Sequence, residues 1–191
     1  SNELGIKIIR HPGRSLRITY EIIDEEKYST YFGNKSISIV PSRPKDMPML
    51  LASNRIDYAI TYETVVKNYP KVYEIVHETI DPTISLALIC REDDHIDPTT
   101  WSVENKILIA AEHVCHVAKY FKEQSIPQNV YHLDRIMGSS EGFLVATNKY
   151  SLCDAIVESG QTIIDNNLKI WRTIIPKGEV KMGLYCNLHN K

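Results

Sequence analysis

Apolar residues recur along the chain in spacings that predict short strands and short helices. Strands are predicted where apolar and polar residues alternate, or where a short apolar run is unbroken. The predicted strands cover residues 5–10, 36–40, 56–61, 72–79, 85–90, 106–111, 129–133, 154–157, 170–175 and 179–187. Helices are predicted over residues 14–27, 47–55, 114–124 and 140–148. Strands 72–79 and 85–90 are expected to pair with each other.

The order of these elements predicts an α/β fold with two lobes. Strands that alternate with helices indicate βαβ units and mainly parallel sheets. The charged segment 91–98 separates two such runs, and the closing strands indicate that the chain returns to the first lobe. We therefore predict a first lobe of residues 1–90 and 175–191 and a second lobe of residues 91–174. A ligand is expected in the cleft between the lobes, where open α/β sheets present their strand ends.

Composition and charge exclude several classes of protein. The 191 residues are 43% hydrophobic and 24% charged, as in an ordinary globular protein, and the formal charge of −2 does not support a nucleic-acid partner. No apolar run is long enough for a membrane span, and the N-terminus lacks the layout of a signal peptide. The four cysteines are widely spaced without a CxxC pair. We therefore predict buried free thiols and a cytoplasmic location.

The segment 154–162 carries the strongest chemical signal. A short strand leads into a turn made of Glu158, Ser159, Gly160, Gln161 and Thr162. Gly160 permits a positive φ and a close approach of a ligand to the main chain, and Ser159 and Thr162 supply hydroxyl donors. Because N–H groups at a helix N-terminus carry partial positive charge, we predict that the turn binds a phosphate, with Asp154 placed to bind ribose hydroxyls. An ordinary capped helix start is the alternative.

A second group of residues has the side chains of a metal site. It comprises Glu112, His113, Cys115 and His116. Zinc usually needs four ligands, and no second cluster is apparent in the sequence. We therefore predict no metal site there and expect a helix that is solvated or lines the cleft.

The segment 153–168 (CDAIVESGQTIIDNNL) resembles the phosphoribosyl-binding signature of the ATP phosphoribosyltransferases, the first enzymes of histidine biosynthesis. Further similarities occur in the order of the family and cover most of the chain. They are 43–48 (RPKDMP), 56–65 (IDYAITYETV), 72–75 (VYEI), 110–121 (AAEHVCHVAKYF) and 138–141 (GSSE).

The resemblance implies a catalytic core of two α/β lobes of the type II periplasmic-binding-protein kind. Such enzymes join ATP to phosphoribosyl pyrophosphate at N1 of adenine and release pyrophosphate with the help of Mg2+. Carried over to this chain, residues 158–162 hold the ribose 5-phosphate and Asp154 binds the ribose hydroxyls. Arg14 contacts phosphates or ATP, and Glu141 faces the same cleft.

The resemblance also implies partners. A homo-oligomer is expected, with ATP and phosphoribosyl pyrophosphate as substrates. The chain has no room for the regulatory domain of the long family members. It is therefore expected to be a short form that uses a separate regulatory subunit, or a trimmed catalytic core.

Several positions depart from the family pattern and leave other functions open. Pro12 stands in place of a lysine, Tyr62 in place of a glycine and Thr64 in place of an aspartate. These changes affect the acceptor side more than the phosphate-binding turn. The alternatives are a non-catalytic two-lobed protein that binds a phosphorylated ligand, and a phosphoribosyltransferase with a different acceptor.

Overall fold

The computed structural model describes residues 2–10, 18–69 and 73–188. The chain divides into two compact units, residues 1–43 and residues 44–191. In the described ranges, no helix has both the length and the apolar character that crossing a bilayer requires.

The first unit contains a two-stranded antiparallel sheet and one helix: β1 (Ile6–Arg10), β2 (Ile18–Ile22) and α1 (Glu25–Phe32). The helix predicted over 14–27 is wrong for residues 18–22, because β2 pairs with β1 there, whereas residues 25–27 lie in α1. The strand predicted over 36–40 is also wrong, since these residues form no regular secondary structure. The Ile37 N–H donates to the Tyr20 hydroxyl at 3.1 Å instead of joining a strand ladder.

The described residues of the second unit alternate between short helices and strands, so the predicted mixed α/β content is confirmed. They form α2 (Met47–Ala52), β3 (Tyr58–Tyr62), α3 (Glu63–Val66), β4 (Tyr73–Asp81), β5 (Ser85–Arg91), β6 (Ile107–Ala111), α4 (Val114–Glu123), β7 (Tyr131–Arg135), α5 (Glu141–Ala146), β8 (Leu152–Val157), α6 (Gln161–Asp165), β9 (Leu168–Ile175) and β10 (Val180–Asn187).

The strands of the second unit form two sheets. The smaller has the order β3-β10-β4 and is antiparallel, and the larger has the order β7-β6-β8-β5-β9. The predicted pairing of 72–79 with 85–90 is wrong, because β4 pairs with β10 whereas β5 pairs with β8 and β9. The expectation of mainly parallel sheets is also wrong, since the parallel pairs among the described strands are β6–β7 and β6–β8. Alternation along a strand reports its buried face and does not identify its neighbours.

β5 runs through the core of the larger sheet. All of its residues from 85 to 90 are buried, with α4 on one face and α5 and α6 on the other. Burial on both faces accounts for its unbroken apolar run. β4 belongs to the smaller sheet and β5 to the larger one, so the chain passes from one sheet to the other between these strands. β10 returns to the smaller sheet. The lobe boundary expected near residue 91 stays a prediction.

The four cysteines are free thiols, but they are not all buried. Cys90 and Cys153 are buried, Cys186 is partly exposed, and Cys115 is exposed in the first turn of α4. The prediction of buried thiols is therefore wrong for Cys115. An apolar residue next to it in sequence does not bury a position at the start of a surface helix.

Candidate functional site

The carboxyl ends of β6, β7 and β8 meet at one edge of the larger sheet, because these strands run parallel. The segments that follow them contain Glu112 and His113, Ser140 and Glu141, and the turn 158–162. At this edge Glu112, His113 and Ser140 contact Asp154, whereas the turn 158–162 lies farther along β8. This edge is the candidate site.

Asp154 lies in β8 beneath this edge and is 1% exposed. Its Oδ1 accepts the Glu112 N–H at 2.8 Å, and its Oδ2 accepts the His113 N–H at 2.6 Å. The His113 Nδ1 lies 3.0 Å from Oδ2, and it carries the proton because an ionised carboxylate only accepts. The Ser140 hydroxyl donates to the main-chain carbonyl of Asp154 and lies 3.4 Å from Oδ1. The carboxylate thus ties β8 to the segments after β6 and β7.

These contacts give Asp154 a positioning role at the start of α4. Negative charge is favourable there, since the helix N-terminus presents free N–H groups. A contact to ribose hydroxyls would require an exchange of hydrogen bonds, because both carboxylate oxygens already accept from the protein. The ribose contact expected for Asp154 stays a prediction.

The turn 158–162 lies farther along β8 and is open to solvent. Gly160 has φ +76° and ψ 1° and caps α6, so the positive φ predicted for it is confirmed. A Cβ at Gly160 would meet no atom within 4 Å. The Gln161 N–H donates to the Ser159 hydroxyl at 3.3 Å, and Thr162 is exposed. Glu158, where the turn starts, is four steps along the strand from Asp154, a distance of roughly 13 Å at 3.3 Å per residue.

Lys177 supplies a cation at this turn that sequence reasoning missed. It lies between β9 and β10, and its Nζ donates to the main-chain carbonyl of Glu158 at 2.9 Å. Glu158 itself is exposed. A lysine in a Lys-Gly turn has no local feature that points to another loop, so only the fold reveals this contact.

Glu141 begins α5 and is half-buried. It lies near the Cys153 thiol, whose pKa is raised first by burial and then by the Glu141 charge. The neighbouring Ser140 is buried and bonded to Asp154. Glu141 is therefore held beside the Asp154 network.

Tyr62 is the last residue of β3, and it is close enough to the turn 158–162 for the charge of Glu158 to affect its pKa. Its hydroxyl donates to Asp81 Oδ2 at 3.1 Å, while Asp81 Oδ1 accepts the Thr83 N–H at 2.9 Å. Burial is the main cause that raises the pKa of Tyr62, followed by Asp81, and the Glu158 charge contributes too. The hydrogen bonds from Thr83 lower the pKa of Asp81. Tyr62 is thus anchored on the side of the site nearest Glu158.

Glu112 is the second residue that sequence reasoning missed, since it was noted only as a metal-ligand type. Its Oε2 accepts the Gly138 N–H at 3.2 Å. Lys45, from the segment before α2, donates from Nζ to the Met137 carbonyl at 3.5 Å. Burial raises the pKa of Glu112, and the charge of Asp154 raises it further. His113, the hydrogen bond from the Gly138 N–H and Lys45 oppose this shift in pKa.

The sequence model of the family described as HisG, ATP phosphoribosyltransferase, matches residues 43–186. The chain belongs to this family. The matched region contains the whole candidate site, from Lys45 to Lys177, so the resemblance identified from short motifs is confirmed.

Solved structures confirm the type II periplasmic-binding-protein-like fold. The ATP phosphoribosyltransferase (HisG:HisZ) complex from Thermotoga maritima aligns with a TM-score of 0.57 at 21% identity, over 85% of this chain and 82% of that one. The alkanesulfonate-binding protein SsuA from Xanthomonas axonopodis pv. citri, bound to MOPS, has a TM-score of 0.56 at 8% identity over 76% of this chain and 53% of its own. The aliphatic sulphonate binding protein SsuA from Escherichia coli has a TM-score of 0.55 at 9% identity, over 85% and 58%.

A curated relative is more similar in sequence. The bifunctional cordycepin biosynthesis cluster protein 3 of Cordyceps militaris is 44% identical over 186 residues, 96% of this chain. The chain spans 21% of the length of that protein.

The positions that depart from the family pattern fall in different places. Pro12 and Arg14 lie outside the described residues. Tyr62 borders the site, whereas Thr64 is 1% exposed inside α3 and its Oγ1 has no hydrogen-bond partner among the described residues. A buried hydroxyl at this position presents no negative charge to the site.

Proposed function

We propose that the chain transfers the phosphoribosyl group of phosphoribosyl pyrophosphate to N1 of the adenine of ATP, with release of pyrophosphate, as in the first step of histidine biosynthesis. The observation that carries this proposal is the turn 158–162. It is exposed, contains Gly160 in the left-handed conformation and follows β8, the strand that carries Asp154. Membership of the family supports the reaction class.

The residues of the turn have the chemistry to hold the ribose 5-phosphate. We assign Glu158, Ser159, Gly160, Gln161 and Thr162 to this group. The main-chain N–H groups at the start of α6, two hydroxyls and the nearby Lys177 ammonium favour a phosphate. Open space around Gly160 lets an anion approach the main chain.

The reaction needs fixed charges and dipoles more than a nucleophile. As pyrophosphate leaves, positive charge develops on the ribose ring and negative charge on the leaving group, and preorganised groups stabilise both. We assign Arg14 to the phosphates and Glu141 to the ribose side of the site. Asp154 contributes by holding the segments around Glu141 in place, and the ribose contact is assigned to it as well.

Mg2+ is the cofactor proposed for the reaction. Among the described residues, no three His, Cys, Asp or Glu side chains are arranged to hold a metal ion. Mg2+ prefers to keep waters and substrate phosphates as ligands. We therefore propose that it arrives bound to the pyrophosphate group of the substrate.

The partners are proposed from the relatives. The Thermotoga structure is a HisG:HisZ complex, which supports a separate regulatory subunit for this chain, in a cytoplasmic homo-oligomer. The lobe division at residues 90 and 175 is proposed as well.

A different acceptor is the second candidate function. Tyr62 is anchored to Asp81 beside the site, where the family pattern has a glycine. The relative of 44% identity is named for cordycepin biosynthesis and not for the histidine pathway. Both observations favour a change on the acceptor side, with the phosphoribosyl donor retained.

An assay of pyrophosphate release tests the first proposal. We expect release that requires both ATP and phosphoribosyl pyrophosphate, measured with the chain alone and with a HisZ-type subunit. No release, combined with thermal stabilisation by phosphoribosyl pyrophosphate alone, would reject ATP as the acceptor. That result would favour the second candidate or a non-catalytic binding protein.

Gly160→Val is expected to abolish the rise in Tm that phosphoribosyl pyrophosphate produces. A side chain at φ +76° is strained and would occupy the space open to the phosphate. The measurement is the Tm with and without the ligand. Gly33→Val is the control, because Gly33 also has a positive φ of +60° and open space around its Cβ. It should lower the Tm but keep the shift, and an unchanged shift in Gly160→Val would remove the turn from the binding site.

A further inference from the structure

The main chain of Glu112 is fixed from two sides. Its N–H donates to Asp154 Oδ1 at 2.8 Å, and its carbonyl accepts from Asn68 Nδ2 at 2.9 Å. Asp154 belongs to the larger sheet, whereas Asn68 follows α3, which packs on the smaller sheet. Glu112 is therefore held at the point where groups from the two sheets meet.

The carboxylate of Glu112 is also held, but through only one oxygen. Oε2 accepts the Gly138 N–H at 3.2 Å, while Oε1 has no hydrogen-bond partner within the described ranges. The side chain is partly exposed. One carboxylate oxygen is thus oriented by the protein and the other can receive a proton.

The charged groups around Glu112 are suited to proton transfer. Burial and the Asp154 charge raise its pKa, whereas His113, the hydrogen bond from the Gly138 N–H and Lys45 limit that shift. A carboxylate with a raised pKa is a stronger base near neutral pH than an exposed one. Lys45 Nζ lies 3.5 Å from the Met137 carbonyl, so this cation is beside the segment that holds Oε2.

We propose that Glu112 is the general base that removes the proton from the acceptor during phosphoribosyl transfer. The proposal rests on the proposed function and names the acceptor as a heteroaromatic ring nitrogen with a neighbouring amino group. The lone pair of the ring nitrogen forms a bond to C1 of the ribose, and the bond from C1 to the pyrophosphate oxygen breaks. The electron pair leaves with pyrophosphate. The acceptor ring is then positively charged, and it becomes neutral when its amino group gives a proton to Glu112 Oε1.

The neighbouring acid and imidazole are less suited to this role. Asp154 is 1% exposed, and both of its carboxylate oxygens already accept hydrogen bonds. His113 is 4% exposed, and its Nδ1 is committed to Asp154. Glu112 is the partly exposed member of this group, so it is the one that an acceptor can reach.

Glu112→Gln tests the proposal, because it keeps the shape of the side chain and removes the base. We expect kcat to fall by about 10²- to 10⁴-fold, the range typical of general bases. The rise in Tm with phosphoribosyl pyrophosphate should stay unchanged. The wild-type rate should fall as the pH is lowered through the raised pKa of Glu112, and this acid limb should disappear from the residual activity of the variant.

Two further variants serve as controls. Glu123→Gln changes an exposed glutamate that pairs with Lys119 at the far end of α4, and it should leave kcat unchanged. Glu112→Asp keeps a carboxylate on a shorter side chain, so it should retain part of the rate and the acid limb.

The possible results separate this proposal from the proposed function. A wild-type chain that binds phosphoribosyl pyrophosphate but releases no pyrophosphate with ATP rejects the proposed function and the base with it. An active wild type with an equally active Glu112→Gln rejects only the base. An acid limb that persists in Glu112→Gln and disappears in Glu141→Gln would identify Glu141 as the base. Loss of the Tm shift in Glu112→Gln would also overturn the proposal, since it would show a role in binding.

Discussion

Replacing Asp154 by alanine is expected to lower the free energy of unfolding by at least about 3 kcal/mol, because three donors lose their buried acceptor and each unsatisfied group costs about 1–3 kcal/mol. The carboxylate is 1% exposed and accepts the Glu112 N–H, the His113 N–H and the His113 Nδ1–H. Its removal leaves these donors in a water-poor interior without acceptors, and each such group is costly. The loss is large compared with the total stability of an ordinary domain, about 5–15 kcal/mol.

Urea unfolding of the wild type and Asp154→Ala at neutral pH measures this effect. Asp93→Ala is the matched control, because Asp93 is exposed in the segment after β5, and it should change the stability by less than about 0.5 kcal/mol. Asp154→Asn should lower the stability by less than Asp154→Ala and by more than Asp93→Ala. The amide keeps one acceptor oxygen, but its NH2 group faces another donor where the second carboxylate oxygen accepted a hydrogen bond. A loss below about 1 kcal/mol in Asp154→Ala would mean that the network in β8 contributes little to folding.

Acidification is expected to destabilise the protein through His116, by about 2–3 kcal/mol between pH 7 and pH 4.5. Burial lowers the pKa of His116 from 6.5 to about 4, and the charges of His113, Lys67 and Lys119 contribute, while Glu63 opposes them. The folded state therefore keeps this imidazole neutral, whereas the unfolded chain binds a proton below pH 6.5. Because the unfolded state binds more protons in this window, stability falls as the pH falls and levels off near pH 4.

His116→Leu tests the pH effect. The Nδ1 of His116 is buried and has no hydrogen-bond partner in the part of the chain that the structure describes, so we expect an apolar side chain of similar size to be tolerated at this position. The variant should lose about 2–3 kcal/mol less than the wild type when urea unfolding is compared at pH 7 and pH 4.5. His95→Leu, a change of an exposed histidine, should leave the wild-type dependence intact. Equal losses in the wild type and His116→Leu would assign the acid sensitivity to other groups.

Local patterns in the sequence predicted the elements of the second unit well. The unbroken apolar run of β5, Ser85–Arg91, and the closing strands β9 and β10 lie close to their predicted positions. Gly160 has the positive φ that its place between a strand and a helix requires. These features depend on residues that are neighbours in the chain, because a pleat, a helical turn and a glycine conformation are local properties.

The pairing of the strands could not be predicted in the same way. β10 lies between β3 and β4, although most of the second unit separates Tyr62 from Val180 along the chain. An alternating pattern requires only that one face of the strand be buried. Several different partner strands are compatible with that requirement, so the pattern does not identify the partner. The expected pairing of 72–79 with 85–90 was wrong for this reason.

The sequence by itself determined the family, the order of most elements and the turn around Gly160, because each of these depends on short stretches of neighbouring residues. The tertiary structure decided what surrounds that turn. It brought Lys177 to Glu158, placed Asp154 beneath Glu112 and His113, and set Gly138 against the Glu112 carboxylate. Such contacts join residues far apart in the chain, and burial and hydrogen bonding at these positions depend on which segments the sheets bring together. The acid–base properties of Glu112 follow from those neighbours and are absent from its local sequence.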